Sequence, residues 1–269
     1  IVFGDWSSDV CSSDLPYNFS LQHELLISGV SLYTFCTGSL IIRNENIHPF
    51  KQGSFTVSDV NDINKIDRMV AGRWDLNAMN TGKIFRSASN IGTLTTLALM
   101  PGDLKSRGSL SLIYLQGFLL MQGITSLAKG TTDRYRPFTY LTKNDIKTLD
   151  YESREEFNEA IEGDDIEDSF FSGDASLSAY NYIFIAKVFS DYFPESKIKY
   201  GVWGASITGT ALQAYFRSMS GKHFPTDVIM GSLVGGSIGY LIPHFHRKFQ
   251  GKNISINPGR YGLSVTYSF

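Results

Sequence analysis

The chain has 269 residues, a net charge of −2, 42% hydrophobic residues and 19% charged ones. That length suits one large helical domain, and the near-neutral balance lacks the basic excess of a nucleic-acid binder, so no nucleic acid is expected as a partner. Two cysteines, Cys11 and Cys36, give neither a disulfide framework nor a metal-ligand spacing.

Residues 1–15, IVFGDWSSDVCSSDL, lack an initiator Met and echo SSDV as SSDL. They resemble translated adapter sequence, so a sequencing artefact is expected there and the stretch is set aside. Residues 16–88 are expected to form an N-terminal helix and an amphipathic segment. The helix is Leu25–Ile42, 18 residues without a charge, which meets the lower limit for a membrane span. The amphipathic segment runs from Ser58 to Trp74, with apolar residues near helical spacing at Val60, Ile63, Ile66, Met69 and Val70. It reads as a helix along the membrane interface or the domain surface.

Residues 89–250 are expected to form a helical bundle. Ser89–Met100 is short and stops at Pro101-Gly102, and Ser109–Ala128 gives 20 residues without a charge. Residues 138–168 read as a long connection whose acidic end, Asp150–Asp168, is a solvated helix or loop. Three apolar segments follow, Ala175–Tyr192, Tyr200–Phe216 and Asp227–Ile242. Gly231, Gly235, Gly236 and Gly239 on the last of them imply close helix packing. The tail, 251–269, ends in an alternating stretch from Gly262 to Phe269 that reads as a short β-strand. The expected fold is therefore all-α, a bundle of about six core helices embedded in a membrane, with a short C-terminal β-strand.

Three stretches carry chemistry. RSMSGKHFPTD, residues 217–227, puts His223 in a turn between two apolar runs, with Arg217 six residues before it and Asp227 four after. KGTTDRYRP, residues 129–137, puts Lys129 and Arg136 at the end of an apolar run, and SFFSGDAS, residues 169–176, opens another. A helix start offers free N–H groups and partial positive charge to an anion. Arginine adds a planar fork of donors. Consecutive antiparallel helices alternate direction, so an end, a start, an end and a start fall on one rim of the bundle.

In order and spacing the three stretches resemble the signature motifs of the type 2 phosphatidic acid phosphatase family, which shares its fold with vanadium haloperoxidases. The family pattern is Lys-x6-Arg-Pro, then Pro-Ser-Gly-His, then Ser-Arg-x5-His-x3-Asp. The first is complete here. The third has Phe216 in place of Ser, and the second has Phe171 for Pro and Asp174 for His. The resemblance implies that His223 attacks phosphorus and becomes a phosphohistidine, with Asp227 orienting it. It implies that Lys129, Arg136 and Arg217 hold the phosphoryl oxygens, helped by backbone N–H groups of Ser172 and Gly173. No metal or other cofactor is expected, although vanadate would mimic phosphate in such a pocket. The implied partners are a phosphorylated lipid and a membrane. Excess Lys and Arg on the opposite face place the site on the periplasmic side of a bacterial inner membrane. Neither the lipid nor the oligomeric state is legible.

Asp174 stands where the family histidine protonates the leaving oxygen. An ordinary aspartate, with pKa about 3.9, holds that proton in roughly one molecule in a thousand at pH 7, a shortfall on the order of 4 kcal/mol. Three readings follow: a diphosphate leaving group that needs little protonation, an Asp174 protonated by burial, or a phosphate-lipid binding protein without turnover. Vanadium-dependent halide oxidation is a further enzymatic alternative.

Overall fold

A computed structural model of the chain describes residues 15–43, 57–163, 166–247, 253–259 and 262–268. The adapter-like stretch, except Leu15, lies outside the described residues. Six long helices dominate: α1 (Leu21–Arg43), α3 (Leu76–Leu99), α4 (Leu104–Lys129), α7 (Gly173–Tyr192), α8 (Ile198–Met219) and α9 (Pro225–His246). Shorter ones are α2 (Val57–Asp62), α5 (Lys143–Thr148) and α6 (Tyr151–Glu162).

Local chemistry sets where the long helices begin. The Asp75 carboxylate accepts from Ala78 N–H to start α3, and Asp103 does the same for α4 through Ser106. Ser172 caps α7 through Ala175 N–H, and Pro225 occupies the first turn of α9. The Ser172 and Pro225 signals fall at the rim where α4 and α8 end, and the Asp103 cap lies at the opposite end of α4.

Helix α7 is the core of the bundle, packed against α9, α8, α3 and α4. Its Tyr180, Phe184 and Val188 meet Leu110, Ile113 and Met121 of α4 and Ile238 and Ile242 of α9. The α7–α9 contact is close because three glycines line it. A Cβ at Gly231 or Gly239 would come within 2.5 Å of the Ser172 or Tyr180 carbonyl oxygen, and one at Gly235 would overlap the Ser176 carbonyl. Gly236, expected in the same role, faces the Ile183 side chain at an ordinary 3.5 Å instead.

Among the described residues, three helices are long and apolar enough to cross a membrane: Leu21–Ile41 within α1, α4 and α9. Apolar side chains also stand exposed on the outer faces of the long helices, among them Leu25, Leu32, Ile91, Leu94, Ile207, Leu233 and Phe245. In water such a belt would carry a large hydration cost.

Several expectations are corrected. Ser58–Trp74 is not one amphipathic helix. The Asn64 side-chain oxygen accepts from the N–H groups of Ile66 and Asp67, which closes a turn after α2, and a 3-10 turn follows at Asp67–Val70. Helix α3 starts at Leu76, not Ser89, so the bundle boundary drawn at residue 88 falls inside it. The 138–168 connection is largely helical and holds a second small core, in which Phe138 and Phe157 pack edge-on against Trp74. A two-stranded antiparallel hairpin, β1 (Asn253–Gly259) with β2 (Gly262–Ser268), follows the bundle. The fold class rests on the helices, and the tail strand is not an element that supports it.

Candidate functional site

The rim encloses a cleft of about 450 Å³ lined by residues from four long helices and two loops. Lys129, Arg136, Gly173, Asp174, Arg217 and His223 all face it, so most of the residues singled out in the sequence share one cavity. Arg86 of α3 faces it too. Four cations and one carboxylate therefore face the same cleft.

His223 is buried, 2% exposed, and its Nδ1 lies 2.8 Å from the Ser169 carbonyl oxygen. A carbonyl only accepts, so Nδ1 carries the proton and Nε2 presents a lone pair. Burial, then the neighbouring Arg136, Arg217 and Lys129, push the His223 pKa well below that of a free imidazole. The ring is held neutral in the tautomer a nucleophile needs.

Asp227 does not touch that ring. Its carboxylate accepts from Ser169 Oγ at 2.6 Å and from Phe224 N–H at 2.9 Å, and it pairs with Arg134. The expected direct orientation of His223 by Asp227 is thus replaced by an indirect one. Asp227 fixes Ser169, and the Ser169 carbonyl fixes the ring. The physical reason is the turn at Phe224: the carboxylate three residues on caps its own helix start.

Ser172 also departs from expectation. Its N–H donates to the Asp227 carbonyl at 3.1 Å and its hydroxyl caps α7, so its backbone does not offer an anion nest. Gly173 does line the cleft.

Asp174 is held by two arginines, Arg86 at 2.8 Å and Arg217 at 3.0 Å. Burial pushes its carboxyl up, but Arg217, Arg86 and Arg136 outweigh that and leave its pKa below the ordinary carboxylate value. It is an ionised acceptor in the position where a proton donor was wanted.

Two sets of residues escaped the sequence reading. Arg86 lies 88 positions before its partner Asp174, in a helix with no motif around it. Arg134 stands inside the first motif, but its guanidinium points away from the cleft. It bridges Asp227 and fully buried Asp67, and Asp67 also accepts from Thr226 N–H at 2.9 Å. The spacing rule names Lys129 and Arg136 and passes over the arginine between them. The two loops are also joined through backbone: Phe138 N–H donates to the Gly221 carbonyl at 3.1 Å. Gly221 has φ +77°, and a Cβ there would collide with the Arg73 carbonyl oxygen.

Among the described residues, no cleft residue belongs to a His/Cys/Asp/Glu group close enough together to hold a metal ion. The one group of that kind among the described residues is His23, Glu24 and His246, at the far end of α9.

A family model described as the PAP2 superfamily matches residues 110–250, more than half of the chain. It covers Lys129, Arg136, Asp174, Arg217 and His223 and leaves out Asp67 and Arg86. No curated protein matches the chain.

Proposed function

This chain belongs to the PAP2 superfamily, and on that premise we propose that it is a phosphatase that releases phosphate from a lipid diphosphate. Members of the superfamily are phosphoesterases, which makes phosphate-ester chemistry the starting point. The observation that carries the reading is a neutral His223 facing a cleft ringed by Arg86, Lys129, Arg136 and Arg217. In the proposed reaction His223 Nε2 attacks phosphorus, the P–O bond to the leaving group breaks, and water then hydrolyses the phosphohistidine. The four cations neutralise charge on the equatorial oxygens in both steps.

The choice of leaving group comes from Asp174. Two arginines keep it ionised, so it has no proton to donate to an alkoxide. A departing phosphate monoester is already a weak base and needs none. Lipid attachment is supported by the position of the cleft. Arg86 of α3, Gln122, Thr125 and Ser126 of α4 and the apolar Leu177 of α7 line it. An acyl or prenyl chain would leave between α3 and α4 toward the exposed apolar belt. The three apolar helices suit a membrane. We place the cleft on the periplasmic side of a bacterial inner membrane, reading Lys197, Lys199 and Arg247 at the other end of the bundle as the cytoplasmic charges and the cations of the cleft end as phosphate ligands.

The Asp174 ion pairs favour a second reading, a protein that binds phosphorylated lipid without turnover, since a fixed carboxylate repels the substrate it faces. Phosphate release from a lipid diphosphate and its monophosphate, each with a His223→Ala control, decides between them. The first reading expects release from the diphosphate only. Release from neither, with binding retained, leaves the binder. Asp174→His is expected to raise monoester hydrolysis at neutral pH by about 10²-fold or more. No rise would remove the argument from the missing acid.

A further inference from the structure

The opposite end of α9 carries a second assembly of functional side chains, some 30 Å from His223 by helical rise. His246, fully buried in its side chain, meets Glu24 of α1, and the His23 ring lies 5.3 Å from the His246 ring, centroid to centroid. The potential ligand atoms of these three residues all fall within 4.8 Å of one another.

The hydrogen bonds make the arrangement unusual. His246 Nδ1 lies 2.8 Å from the Ile242 carbonyl oxygen, so that nitrogen must carry a proton. A neutral ring then aims its Nε2 lone pair at Glu24, 3.2 Å from Oε1 and 3.4 Å from Oε2. Two acceptors face each other at contact distance, and Oε1 is buried with no hydrogen-bond donor. Something positive belongs between them. A proton on Nε2 would serve the His246–Glu24 pair but would leave His23 without a role. A divalent cation uses all three.

We propose that His23, Glu24 and His246 form a binding site for a divalent transition-metal ion of the zinc class, joining α1 to the end of α9. Two imidazoles and a carboxylate are a common zinc donor set, with water as the fourth ligand. Tetrahedral bonds of about 2.1 Å space their ligand atoms by about 3.4 Å, which the His246–Glu24 pair already matches. His23 and Glu24 are part-exposed, which admits the ion and the water. The outer shell is also present. The Ile242 carbonyl fixes the His246 tautomer, and Gln116 Nε2 donates to Glu24 Oε2 at 2.8 Å. Asn18 N–H bonds the His246 carbonyl at 2.6 Å, so the segment before α1 is already seated here. An ion would stabilise the attachment of an outer helix whose other contacts are mainly with α4. The site does not depend on the activity proposed for the cleft.

The test uses tag-free full-length protein in detergent, stripped with chelator and titrated with ZnCl2 and CoCl2. One equivalent of zinc is expected to bind, and Co2+ to give the visible bands of a tetrahedral nitrogen–oxygen site. The melting temperature should rise by about 5 °C at a hundredfold excess of zinc over its dissociation constant. Glu24→Gln and His23→Ala should weaken zinc binding at least tenfold. His23→Ala keeps the test open if changes at buried His246 prevent folding. Absence of stoichiometric binding to folded protein would overturn the proposal. So would zinc affinity unchanged in both variants, or a loss of stability in Glu24→Gln that is the same with and without zinc, which would mark a plain ion pair.

Discussion

The two ends of α9 each present a buried histidine whose Nδ1 is fixed by a main-chain carbonyl, Ser169 at one end and Ile242 at the other. The rings are set up alike, and their surroundings are opposite. His223 Nε2 faces a cleft of four cations and His246 Nε2 faces a carboxylate. The same tautomer is thereby suited to attack an electrophile at one end and to ligate a cation at the other. Backbone geometry sets which nitrogen is free, and the neighbouring charges set what that nitrogen is for.

The comparison breaks most severely if His223 is not the reacting group. His223→Ala is expected to lower phosphate release by at least about 10³-fold and to abolish the acid-labile phosphoprotein seen on rapid quenching. A labelled intermediate surviving in that variant would move the nucleophile elsewhere. Arg217→Ala is next. It removes one donor to the transferring group and one partner of Asp174, and is expected to cost about 10²–10³-fold in kcat. A change confined to KM would show instead that Arg217 only binds.

The acid limb of kcat/KM sharpens the electrostatic half of the comparison. Because burial and three cations lower the His223 pKa, the ring stays unprotonated where a free imidazole, with pKa about 6.5, would be half charged. Activity is expected to hold its plateau below pH 6.5 and to fall only in more acidic solution. The sign also applies to stability. Below pH 6.5 the unfolded chain takes up a proton that the folded state refuses, so folding weakens as pH drops through that range. The smallest effect belongs between the two ends. Gly235→Ala puts a methyl group against the Ser176 carbonyl and is expected to cost about 1–3 kcal/mol of stability, read by thermal unfolding.

Much of the bundle was legible because its signals are local. The apolar runs mark the long helices, although Asp103, Ser172 and Pro225 start α4, α7 and α9 two to five residues earlier than the runs at Ser109, Ala175 and Asp227 suggest. The cluster of Lys129, Arg136, Arg217 and His223 followed from alternating helix direction alone. The parts that were missed depend on pairs far apart in the chain. Arg86 meets Asp174, Asp67 meets Arg134 and Thr226, and the Ser169 carbonyl meets His223, each across more than 50 residues. No periodicity encodes which carboxylate an arginine will find. Asp227 was misjudged for the opposite reason. Proximity in sequence to His223 suggested contact, whereas a carboxylate three residues after a turn has a nearer N–H to satisfy.

The main-chain hydrogen bond from Phe138 N–H to the Gly221 carbonyl joins the loop that ends the first motif to the turn that carries the third, and Gly221 itself lies against the Arg73 carbonyl. The separation between their cations and the histidine is therefore set partly by main chain, alongside the Arg134 bridge to Asp67 and Asp227. Residues bordering the mouth are not held by that bond, so substitutions there can alter what the cleft admits without moving the two loops. Position 221 lacks that freedom, because a methyl group there would collide with the Arg73 carbonyl oxygen and displace the turn that carries His223.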